Sequence, residues 1–177
     1  MRKLKSFKFG FSGMSRVLLL IVLLVFFSLI TDTFWSPGNW ANITNILLYQ
    51  VPVLMLLSMG MTMVIILRGI DLSIGAVVAF SSTLAAMIMK NTGNVTAGIA
   101  VGVLTGALIG AANGVLIALI RVPPYIATIS TQYIFKGFTN IILQGRSIYQ
   151  FPSGFKSLMQ STAFNYLIVA AVMALLI

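Results

Sequence analysis

Apolar residues dominate six stretches of the 177-residue chain, at about 17–34, 46–67, 72–89, 95–120, 124–143 and 163–177, with short polar segments between them. A helix needs roughly 20 mainly apolar residues to cross a hydrocarbon core of about 30 Å. The pattern therefore predicts an all-α integral membrane protein, a polytopic transmembrane helix bundle of about six spans or partial spans. The run at 95–120 carries Gly98, Gly102, Gly106, Gly110 and Gly114, each four residues from the next. That step keeps them on one helix face, where small residues let two backbones approach closely in lipid. The row is expected to be a helix-packing face. It halts at Arg121-Val122-Pro123-Pro124, where one charge and two prolines end one helix and start the next.

The third stretch repeats the theme with Gly75, Ala79 and Thr83 and is an expected partner for the glycine row. Between the second and third stretches, Arg68-Gly69-Ile70-Asp71 breaks the apolar pattern. Asp71 is placed to cap the following helix, its carboxylate facing the positive end of the helix dipole. The rival reading is a proton or ion site, since acids inside membrane segments are functional candidates. Residues 46–90 form either two full spans or two half-helices broken near Gly69 and Asp71. Residues 31–45 and 144–161 read as polar loops. In the fifth stretch Thr128, Thr131, Gln132, Lys136 and Thr139 fall on one side of the helix with Phe135 among them. A polar stripe is costly against lipid. Threonine and glutamine both donate and accept hydrogen bonds, as sugar hydroxyls do, and an aromatic ring covers the apolar face of a sugar. These six residues are the expected substrate path, with Lys136 reaching toward the interface on its long stem. The alternative is that the stripe only bonds neighbouring helices.

Composition narrows the chemistry. Hydrophobic residues make up 59% and charged residues 7%, and there is no cysteine and no histidine. The two side-chain carboxylates are Asp32 and Asp71. Histidine triads, carboxylate pairs and thiolate metal sites are excluded, and no catalytic residue, metal or cofactor is expected. No P-loop pattern occurs, so any nucleotide that drives the protein is bound by a partner. The net charge of +9 points to membrane orientation and not to nucleic acid. With the N-terminus cytoplasmic, Arg2, Lys3, Lys5, Lys8, Arg16, Arg68 and Arg121 lie inside, against Lys90, Arg146 and Lys156 outside. The basic start followed by an apolar run also has the plan of a signal peptide. Bulky Phe26, Phe27, Phe34 and Trp35 occupy the place of a cleavage region, which favours a retained first span.

Three segments then carry a family likeness: Gly69-Ile70-Asp71-Leu72-Ser73-Ile74-Gly75, Gly110-Ala111-Ala112-Asn113-Gly114, and Pro123-Pro124-Tyr125-Ile126-Ala127-Thr128 followed by Lys136-Gly137. In this order they resemble the membrane permease subunits of ribose-type ATP-binding-cassette sugar importers, which include ribose, xylose and galactose permeases. The likeness covers roughly residues 42–152. The family often has a second glycine where this chain has Arg68, and glycine where it has Ser130. The resemblance implies a bacterial inner-membrane, multi-pass subunit that moves a pentose or hexose by alternating access without catalysing a reaction itself. It implies cytoplasmic ATPase subunits, a periplasmic sugar-binding protein and a second permease subunit as partners, in surrounding membrane lipid. It also implies a longer family fold, of which these residues are the N-terminal portion. Competing classes are an ion-coupled carrier or channel and a non-transporting membrane scaffold.

Overall fold

The structure, a computed structural model, describes residues 11–176. The basic residues Arg2, Lys3, Lys5 and Lys8, and with them the expected cytoplasmic N-terminus, lie outside the described residues. The chain divides into two compact units, one ending at Leu47 and the other starting at Leu48. Every element among the described residues is helical, so the expected all-helical class holds.

The first unit contains α1 (Phe11–Ile30) and α2 (Pro37–Asn45). Ser36 caps α2 by accepting from the Asn39 N–H at 3.3 Å, with Pro37 in the first turn, where a missing N–H costs nothing. Its helix thus starts nine residues before the expected span at 46. Trp35 and Trp40 pack with ring centroids 5.8 Å apart, and the Trp35 indole N–H donates to Ser28.

A π-helical turn, Ile46–Gln50, leads into α3 (Val51–Ile66). Pro52 has no N–H to return to the preceding turn, and the helix widens just before it. Helix α3 ends in a Schellman arrangement: the Gly69 N–H donates to the Val64 carbonyl and the Arg68 N–H to that of Ile65. Arg68 takes a left-handed φ of 59°, the conformation glycine adopts without strain. Helix α4 (Ile74–Thr92) follows and stops at Gly93, also left-handed. Asn94 caps α5 (Val95–Gly114) by accepting from the Ala97 N–H at 3.0 Å. A second π-helical turn, Val115–Leu119, and a left-handed Arg121 precede Pro123 and Pro124, which open α6 (Pro124–Leu143).

Residues 144–161, expected as a loop, contain α7 (Ser153–Gln160), which meets α8 (Thr162–Leu176) at a bend of 69°. Three helical runs among the described residues are long and apolar enough to cross a membrane: 37–66, 74–92 and 95–119. The bent α7–α8 pair makes a fourth when counted as one span. Helices α3 and α4 are separated by the irregular segment 67–73, yet α4 alone has the length of a span.

Helix α4 packs on both α5 and α6, and α5 also touches α6. The glycine row explains part of this. A Cβ at Gly98 would collide with the Met89 side chain and stand 2.9 Å from the Ala85 carbonyl. At Gly102 it would meet the Ala85 methyl at 3.2 Å, and at Gly106 the Ser81 hydroxyl at 3.5 Å. At Gly110 and Gly114 it would meet nothing within 4 Å. The expectation of one continuous packing face is therefore corrected. The row packs on α4 through Gly98, Gly102 and Gly106, and then α5 turns its last two glycines toward open space.

Burial is inverted relative to a water-soluble protein. The buried set holds Met89, Ile109, Ala127 and Val169, but also Ser73, Ser81, Thr83, Asn113, Thr128, Thr131 and Thr139. Large apolar side chains such as Leu104, Leu108, Tyr133 and Ile141 are exposed. Polar groups inside and apolar groups outside are what a hydrocarbon solvent selects.

Overpacking a tight helix contact costs about 1–3 kcal/mol, so Gly98→Ala is expected to destabilise the bundle by that amount. Gly110→Ala should be neutral or slightly stabilising, because alanine favours the helix and meets no neighbour. Unfolding of the two variants in mild detergent checks this, and equal stability would remove the close-approach argument.

Candidate functional site

A chain of hydrogen bonds runs across the second unit. Thr131 Oγ1 on α6 donates to Asn113 Oδ1 on α5 at 2.6 Å. Asn113 Nδ2 donates to Ser73 Oγ, at the start of α4, at 3.0 Å. Ser73 Oγ in turn donates to Asp71 Oδ1 at 2.6 Å, and the same oxygen accepts from the Ser73 N–H at 2.7 Å. Beside this chain, Thr128 Oγ1 donates to the Pro124 carbonyl at 2.8 Å, with the Ile70 carbonyl 3.3 Å away. Ser73 and Thr128 are almost fully buried.

The sequence positions each member. Pro123 and Pro124 fix where α6 starts, which sets Thr128 and Thr131 one and two turns in. The glycine steps before Asn113 bring α5 close enough to α4 for a single amide to bridge them. The residue just before α4 is Ser73, whose own hydroxyl makes no capping bond. Asp71 lies two residues earlier and holds Ser73 in place, because its carboxylate closes an Asx turn on the Ser73 N–H.

Two cavities flank the hydrogen-bonded chain. One, of about 310 Å³, is bordered by Gly69, Asp71, Gly110, Asn113, Gly114 and Thr128 among its lining. The open end of the glycine row forms its wall, which is why Gly110 and Gly114 meet no neighbour. The other, of about 380 Å³, lies between α4 and α6. Gly75, Ala76 and Ala79 form its α4 side, and Gln132, Lys136, Thr139 and Asn140 its α6 side. Small residues on one helix leave the room, and polar residues on the other supply donors and acceptors.

The expected path residues therefore separate. Gln132, Lys136 and Thr139 come together at the α4–α6 cavity. Thr128 and Thr131 turn their hydroxyls into helix contacts. Thr139 also satisfies its hydroxyl locally, donating to the Phe135 carbonyl at 2.8 Å. Phe135 does not line this cavity: its ring packs on Phe80 at 4.9 Å and on Phe138 at 6.0 Å. Phe80 lies on α4, so the ring serves the α4–α6 contact. Asn140 was missed from the sequence although it lies one turn beyond Lys136. Asn113 enters the sequence pattern only as part of a motif. Its isolation was the available signal, since it is the only amide side chain between Val95 and Ile120.

Residues 42–177 match the family described as "Branched-chain amino acid transport system / permease component". The chain belongs to this permease family. It is 41% identical over 129 residues to the ribose import permease protein RbsC of Bacillus subtilis, covering 73% of this chain and 39% of that relative. It is 34% identical to the Haemophilus influenzae protein of the same name, with the same coverage. The D-allose transport system permease protein AlsC of Escherichia coli is 32% identical over 139 residues, 78% of this chain and 41% of that protein. The chain thus spans about two fifths of the length of the curated relatives it matches. No solved structure matches it significantly. The permease match takes in α3 to α8 and with them both cavities.

The Asn113 amide predicts a measurable coupling. Asn113→Ala should destabilise the bundle by about 1–3 kcal/mol, because the buried Thr131 hydroxyl loses its acceptor and Ser73 Oγ, still donating to Asp71, loses the donor from α5. A double-mutant cycle of Asn113→Ala with Thr131→Val, read by unfolding in detergent, should show a coupling of at least ~0.5 kcal/mol. Strict additivity would mean that the bond carries no stability.

Proposed function

We propose that this chain is the permease subunit of an ATP-binding-cassette importer and passes a small sugar, a pentose or hexose, across the bacterial inner membrane by alternating access. The α4–α6 cavity carries the reading. Its polar groups are mostly neutral ones that both donate and accept, and its volume lies in the range of small-molecule sites. The relatives named as ribose and D-allose permeases support a sugar. Cytoplasmic ATPase subunits, a periplasmic sugar-binding protein and a second permease subunit are the partners that fit, with the N-terminus, Arg68 and Arg121 on the cytoplasmic side. The chain's part is to bind, orient and release, and the subunit that hydrolyses ATP is a separate one.

In this reading Gln132 and Asn140 exchange hydrogen bonds with sugar hydroxyls as water leaves. Gly75, Ala76 and Ala79 keep the opposite wall flat enough for a ring. Thr128, Thr131, Asn113 and Ser73 hold the frame against which the cavity opens to one side or the other.

The family description gives a second reading, a branched-chain amino acid. Lys136 at the cavity suits a substrate carboxylate. However, an amino acid also needs an anion for its ammonium group, and the α4–α6 cavity has no carboxylate in its lining. The sugar is therefore preferred.

Uptake into vesicles, with the complex that contains this chain, decides between them. Labelled ribose or a related sugar should accumulate only with ATP and a competent ATPase subunit, and Gln132→Ala should lower uptake roughly tenfold, the worth of one good hydrogen bond. Accumulation of leucine but not sugar would establish the amino acid reading. Uptake that continues without ATP would indicate an ion-coupled carrier, and no uptake of any solute a scaffold.

A further inference from the structure

Helices α4 and α6 also end side by side, and their ends border a third, open cavity, of about 270 Å³. Its polar lining is Lys90, Asn91, Arg146 and Ser147, and its apolar lining includes Ile142 and Leu143. Lys90 lies in the last turn of α4, and Arg146 follows the left-handed pair Gln144 and Gly145 that closes α6.

The charge here is not balanced by a side chain of the second unit. Within residues 48–177 the one side-chain carboxylate is Asp71, and it precedes the opposite end of α4, a helix of 19 residues or about 28 Å. Its Oδ1 is already engaged by Ser73. The C-terminal ends of α4 and α6 supply roughly half a negative charge each. Against two full positive charges, about one remains unmatched.

The location limits what can supply it. Helix α4, of 19 residues, is long and apolar enough to cross a hydrocarbon core of about 30 Å, and α6 ends beside it, so this pair of ends lies where hydrocarbon meets water. A site there with cations and neutral donors at one side and aliphatic side chains at the other fits an amphiphilic anion. Free phosphate would gain nothing from Ile142 and Leu143.

We propose that this cavity binds one anionic phospholipid. Lys90 and Arg146 hold the headgroup phosphate, Asn91 and Ser147 meet its ester or glycerol oxygens, and an acyl chain lies along Ile142 and Leu143. Basic pockets between membrane helices bind phospholipid headgroups by this chemistry. The bound lipid joins the ends of α4 and α6, the same two helices that form the cavity assigned above to the solute. The inference does not rest on that assignment.

The test is native mass spectrometry of the full chain in neutral detergent, with phosphatidylglycerol and phosphatidylcholine of identical acyl chains in competition. The chain should retain phosphatidylglycerol about 25-fold better, the product of roughly fivefold from each cation. K90Q/R146Q should lose that preference, K90R/R146K should keep it, and K156Q, on α7 and outside the cavity, should not change it. If the neutral double variant loses its helical circular dichroism, K90Q and R146Q taken singly carry the test, each losing about fivefold. An unchanged preference in the neutral variants overturns the proposal. Displacement of the lipid by inorganic phosphate as readily as by phosphatidylglycerol also overturns it, by identifying a simple phosphate site.

Discussion

The buried amide of Asn113 is the bond on which the second unit depends. It accepts from Thr131 on α6 and donates to Ser73 at the head of α4, so one side chain on α5 fixes the separation and register of three helices. Between membrane helices apolar burial supplies little net attraction, and close packing and hydrogen bonds take over. The glycines at 98, 102 and 106 bring α5 within reach, and the amide makes that approach specific. Neither is sufficient alone. Close backbones without the amide can slide, and an amide without the glycines does not span the gap.

This frame separates two kinds of polar residue that share one helix. Thr128 and Thr131 are satisfied inside the protein and are lost to any solute. Gln132, Lys136 and Asn140, on the adjoining side of α6, border a cavity with no side-chain hydrogen bond that would close it. Small residues of α4 keep that space open. A permease needs both kinds: helices pinned where they must move as a body, and unpaired groups where the solute passes.

Much of this was legible in the sequence, for identifiable reasons. The start of α6 followed from Pro123-Pro124, because backbone restrictions act locally, and its end from the change to a polar segment after Leu143. The inverted burial followed from composition. What stayed hidden depended on tertiary placement. A four-residue glycine step says that a face is smooth, but not where its neighbour diverges, and α4 leaves the row after Gly106. Asp71 reads as a cap from its neighbours alone, whereas the structure shows its carboxylate also accepting from the Ser73 hydroxyl, which Asn113 reaches from α5. Helical angle put Phe135 inside the polar stripe, and only the position of Phe80 shows that the ring is already used. Helix α7 was missed because Gly154 and Pro152 read as loop, although Phe155, Leu158 and Met159 have helical spacing.

The central claim is that the solute meets Gln132 and Lys136 while Thr131, one residue away, stays sealed among helices. Because the chain has no cysteine, single cysteines at these three positions in the assembled transporter, challenged with a small charged thiol reagent, measure this directly. The account predicts rapid reaction at 132 and 136 that blocks uptake and is slowed by the transported solute, with no reaction at 131. Equal reaction at 131, or reaction at 132 and 136 with lipid-soluble reagents alone, would contradict it.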